Sequence, residues 1–90
     1  MSLDNITLKT CRKVLKAAEK SGDFAEVSKC YNQIAGVHQK RGDYDKALDY
    51  CYKTLGIAEK TGDITGVSKS YNQIGIVHQK RGDHNRNGNQ

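Results

Sequence analysis

With 36% hydrophobic residues among 90, a single Phe, no Trp and a mean hydropathy of -0.80, the chain cannot fill a thick globular core. It has no run of about 18 apolar residues to span a membrane, and Met1 to Thr10 lacks the apolar stretch of a secretory signal. The net charge of +5 admits an anionic partner, while three cysteines, odd in number and without a C-x-x-C pair, argue against a disulfide framework or zinc site and fit a reducing cytoplasm.

Taken in order, residues 3–20 place Leu8, Cys11, Leu15 and Ala18 at helical spacing, and their polar side is basic, with Lys9, Arg12, Lys13, Lys16 and Lys20 against Asp4 and Glu19. Gly22-Asp23 then ends one helix and opens another. Over 24–41, Val27, Tyr31, Ile34 and His38 fall at i, i+4, i+7 and i+11, a single helical stripe. Gly42-Asp43 punctuates again, and 44–60 carries Ala47, Cys51, Leu55 and Ala58. After Gly62-Asp63, the span 64–81 repeats the earlier stripe as Val67, Tyr71, Ile74 and His78, and Gly82-Asp83 closes it. In each pair the Gly supplies a left-handed helix end and the Asp caps the next helix; Glu26, three residues after Asp23, has capping-box spacing. Residues 84–90 offer nothing apolar to bury and read as a flexible tail, which makes 1–83 the structured unit.

Residues 8–43 laid over 48–83 agree at 23 of 36 positions, and Val37 to Asp43 recurs unchanged as Val77 to Asp83. The chain is thus a 40-residue unit written about twice, a stack whose contacts run between neighbours. With the 24–41 type termed A and the 44–60 type B, the order is B-A-B-A, and the short turns force neighbouring helices antiparallel.

Tyr31-Asn32-Gln33-Ile34-Ala35, His38, Gly42-Asp43-Tyr44, Ala47 and Cys51 resemble the tetratricopeptide repeat, and Tyr71, Ile74, Gly75, His78 and Gly82-Asp83 continue the likeness. The chain departs from that pattern at His38 and His78, where Tyr is usual, at Cys51 and Thr54, and in lacking the closing Pro. The longer unit is similar to those of kinesin light chains and the Leu-Gly-Asn polarity adaptors. The resemblance implies an all-α, right-handed superhelix whose A helices line a concave surface that holds a protein or peptide partner. The groove positions it implies are Lys29, Asn32, Gln33, Gly36, Gln39 and Lys40 in the first unit. In the second they are Lys69, Asn72, Gln73, Ile76, Gln79 and Lys80. The amides suit a peptide backbone and the lysines favour an acidic partner.

The phase of the repeat carries a second expectation. Helix 64–81 lacks a following B helix and helix 3–20 lacks a preceding A helix, so self-association into a homo-oligomer through these ends is the alternative function. Other chemistries fit less well. The basic face has no interleaved aromatics and matches no nucleic-acid motif, so it reads as solvated surface. Both Arg-Gly-Asp tripeptides sit at an A-to-B turn, where Gly and Asp have local roles. His38 and His78 occupy packing positions with no carboxylate at ligand spacing, and the cysteines read as small core residues. Without a phosphate-cradling loop, paired carboxylates or a nucleophile beside a base, no catalytic residue, metal or cofactor is expected.

Overall fold

The computed structural model describes residues 2–82, and these form four helices: α1 (Leu3–Ser21), α2 (Phe24–Lys40), α3 (Tyr44–Thr61) and α4 (Ile64–Arg81). The expected bounds hold to within one residue. α1 and α3 run on to Ser21 and Thr61, whereas α2 stops at Lys40 with Arg41 as its cap. Asp83 and the tail expected over 84–90 lie outside the described residues.

Each turn is built the same way. Gly22, Gly42, Gly62 and Gly82 have φ of 74°, 78°, 73° and 88°, a region closed to most side chains. The left-handed step turns the next N–H back onto the helix it has left: Asp23 N donates to Ala18 O, Asp43 N to His38 O and Asp63 N to Ala58 O. Capping on the far side is less uniform than the sequence suggests. Asp23 Oδ1 accepts from Glu26 N at 3.2 Å and Asp63 Oδ1 from Gly66 N at 3.0 Å. Asp43 makes no such bond; its carboxylate lies 3.8 Å from Lys46 Nζ instead. Glu26 does not complete a capping box; its carboxylate accepts from the Cys30 thiol. Ser2 caps α1 through Asn5 N, a cap the sequence reading omitted.

The helices form a slab of 47 × 38 × 14 Å in which the packed pairs are α1–α2, α2–α3 and α3–α4. One buried cluster joins Leu8 and Cys11 of α1 to Cys30, Ile34 and Val37 of α2. The other joins Ala35 of α2, Ala47, Leu48, Cys51 and Leu55 of α3, and Ile74 and Val77 of α4. Tyr50 packs against both, tilted on the Tyr31 ring and stacked on His38. Ile34, Ala47 and Val77 are wholly enclosed.

Equivalent positions of the two A helices share a helical stripe but are not equally enclosed. Tyr31 is half-buried and its hydroxyl donates to Glu19 Oε2 at 3.1 Å, whereas Tyr71 is 57% exposed. Val27, Ala35 and His38 are buried, while Val67 and His78 are half-buried and Gly75 is exposed. The cause is topological: α2 lies between two B helices, and among the described helices α4 packs chiefly on α3.

Two predictions follow from this packing. Ile34→Ala, which empties a fully enclosed position, lowers the unfolding free energy in urea by about 3 kcal/mol, whereas Tyr71→Ala changes it by about 0.5 kcal/mol or less. The second concerns pH. Burial pushes the His38 pKa below its ordinary 6.5, with Lys46, Arg41 and Arg12 acting in the same direction and Asp43 opposing. The folded state therefore disfavours the imidazolium, so the unfolded chain binds the extra proton first and stability declines as pH falls below about 6.5. Thermal unfolding followed from pH 7.5 to 5 shows a falling midpoint, and His38→Tyr flattens that decline.

Candidate functional site

α2 and α4, the two A helices, flank a groove of about 800 Å³ whose floor is α3. Small residues make the floor and explain its depth: Cys51, Thr54 and Ala58 of α3, with Ala35 at the foot of α2. Asn32, Gly36 and Gln39, spaced i, i+4 and i+7, form the α2 wall. Lys69, Asn72, Gln73 and Ile76 stand on the α4 side.

Seven of the twelve positions implied by the family resemblance are thus brought together, and five are not. Gln33 is turned toward α1, where its Oε1 accepts the Cys11 thiol at 3.2 Å. Lys29 stands one turn before it on the same flank. Lys40 reaches α1 as well, with Nζ 3.2 Å from Asp4 Oδ1. Gln79 and Lys80, in the last turns of α4, do not line the groove. The division has a geometric origin. Repeated helices are related largely by translation, so equivalent residues point the same way, and a groove between them shows one flank of the first helix and the opposite flank of the second. Gln33 and Gln73 are equivalent, yet only Gln73 faces this groove.

Several groove residues escaped the sequence reading: Asp63, Thr65, Gly66 and Ser70, together with the α3 floor. A signal for them was present, because three of these are where the units differ. Ala25, Glu26 and Cys30 of the first unit become Thr65, Gly66 and Ser70 in the second. Loss of the Glu side chain opens this end of the groove. The Asp63 carboxylate has moved into the space, so that a Cβ on Gly66 would lie 2.5 Å from Asp63 Oδ2 and 3.2 Å from the Ala58 methyl. Ser70 Oγ is buried and has no hydrogen-bond partner among the described residues. Such a hydroxyl costs about 1–3 kcal/mol, which a ligand group able to reach it recovers.

The thiols are ill suited to nucleophilic chemistry. Burial is the main cause raising all three above the ordinary thiol range, so Cys11, Cys30 and Cys51 stay protonated at neutral pH. Among the described residues no group of three or more His, Cys, Asp or Glu side chains is arranged to hold a metal ion. None of the described helices is long and apolar enough to cross a membrane.

Antiparallel helix pairs repeating every 40 residues, with a groove between the A helices, define an α-helical repeat fold. The tetratricopeptide repeat model matches residues 26–86, and the chain belongs to that family. No curated protein and no solved structure matches it. Repeats of this family generally mediate protein–protein interaction and form a non-catalytic module.

The cysteine assignment has a direct check. A disulfide reagent such as Ellman's labels the native chain slowly and labels all three thiols at once in denaturant; a fast native phase would place a thiol at the surface.

Proposed function

We propose that the chain binds an extended segment of a partner protein in the groove between α2 and α4. The observation that carries this reading is a small-residue floor edged by amides, with a buried, unpartnered hydroxyl at Ser70. Asn32 and Asn72 each offer donors and an acceptor to a peptide backbone. Lys69 on the wall, within a chain of net charge +5, favours an acidic segment. Asp63 opposes this only in part, since Oδ1 is already engaged by Gly66 N. The remaining lysines act at longer range: Lys29 and Lys80 add to the field over the concave face, and Lys40 is partly offset by Asp4. Two units supply a short groove, so affinity is weak and summed from many contacts. The role is non-catalytic, and three free cysteines fit a reducing compartment such as the cytoplasm.

Self-association is a second reading, favoured by the apolar side chains exposed on the outer helices. Leu3, Ile6 and Val14 of α1 and Ile64, Tyr71 and Ile76 of α4 are all at least 36% exposed.

An array of extended peptides graded from acidic to basic, probed with the wild-type chain and with the Asn32→Ala, Asn72→Ala double variant, tests the groove. Acidic peptides are retained by the wild type and lose about tenfold or more in affinity with the variant, as expected for about 1 kcal/mol per lost hydrogen bond. Circular dichroism of the two proteins is the same. Equal binding by both would remove the groove from the mechanism.

A further inference from the structure

Asp63, Gly66, Ser70 and Gln73 fall at i, i+3, i+7 and i+10 and line the groove as one stripe that starts at the cap of α4. The first unit has Asp23, Glu26, Cys30 and Gln33 in these places, and there the Glu26 carboxylate accepts from the Cys30 thiol. In the second unit that pair is gone. Gly66 leaves its backbone bare, and Asp63 Oδ2 lies 2.5 Å from where a Cβ would stand, a position that Asp23 cannot take against Glu26. Ser70, 4% exposed, keeps a hydroxyl with no partner among the described residues.

This end of the groove is rich in acceptors and carries an unbalanced negative charge. Asp63 Oδ1 accepts from Gly66 N at 3.0 Å, which leaves Oδ2 without a donor. Asp43 has Lys46 three residues on, 3.8 Å away, but the residue three on from Asp63 is Gly66, and no Lys or Arg among the described residues pairs with Asp63. Thr54 on the floor spends its proton on Tyr50 O at 3.0 Å, so toward the groove it can only accept. One carboxylate and hydroxyls are too few ligands for a metal ion, and a neutral donor would leave the charge uncompensated. We propose that this corner seats one basic side chain, Lys or Arg, of the bound segment. The preferred partner is then an acidic stretch interrupted by a cation at a single register. The inference rests on the groove reading given under Proposed function and adds the position and the sign of its specificity. The N-terminal dipole of α4 opposes a cation here, but it amounts to about half a charge against the full charge of Asp63.

The test is a lysine walk. N-acetylated, extended Asp/Glu-rich peptides spaced with Gly and Ser carry one Lys at each position in turn, and norleucine at the same positions controls for the apolar stem. With the wild type, Lys at one register raises affinity about fivefold over the lysine-free peptide at low salt, and norleucine does not. Asp63→Asn keeps an amide oxygen to cap Gly66 N, loses the Lys gain and binds the lysine-free peptide more tightly, since an opposing charge is gone. Gly66→Ala puts a methyl where the carboxylate lies and loses the same gain, at a position where helix propensity improves. Acidic peptides that bind but gain from Lys at no register, or a gain that survives Asp63→Asn, would overturn the basic seat and leave the groove standing. No binding by any peptide, with or without Lys, overturns the groove and this inference together.

Discussion

Each of the described helices buries its apolar stripe against its neighbours in line. A slab 14 Å thick has no interior beyond the seams between neighbours. Stability therefore depends on how closely consecutive helices approach, and that distance is set by small residues. Ala35 and Ala47, both buried in one cluster, let α2 and α3 come together so that Tyr31, His38 and Tyr50 interlock beside them. A larger residue at either alanine would separate the helices and loosen the ring contacts along with the seam. The graded burial of the two A helices has the same origin: the number of neighbouring B helices, rather than sequence, sets how much of an A helix is covered.

The fold was legible because the chain states it almost twice. Four Gly-Asp pairs mark the helix ends, and the left-handed glycines lie where they were expected. A stripe such as Val27, Tyr31, Ile34 and His38 identifies a helical face, though it does not distinguish the side toward the preceding helix from the side toward the following one. Ile34 turns to α1 and Ala35 to α3, adjacent residues serving different seams. Tyr71 shows this limit, since its stripe matches that of Tyr31 while its cover does not. Asp43 was misread because a capping residue in the expected place can still choose a side-chain partner, and Lys46 supplied one.

The groove was only partly legible. Family resemblance gave residues by their position within a unit, whereas a groove is formed between units and takes different flanks from each. Gln33 and Lys40 are consequently spent on α1. The floor residues Thr54 and Ala58 belong to a B helix and carry no binding signature of their own. Thr65, Gly66 and Ser70 could have been found by asking where the second unit departs from the first.

That departure bears on how the chemistry is distributed. Cys30 sits in a sealed seam beside Cys11, where its thiol donates to Glu26 Oε2. Its counterpart Ser70 lies at the edge of an open groove from which the Glu has gone, and it keeps a stronger hydrogen-bonding group in a place too enclosed for bulk water to serve it. Packing alone gives no reason to prefer Ser there, because the thiol is the better small core residue. The proposed binding groove would give one: the desolvation of this hydroxyl is met in folding rather than at the moment of association. On that proposal the second unit gives up some internal stability at Gly66 and Ser70 in exchange for a polar end to its groove, while the first unit keeps the tighter seam.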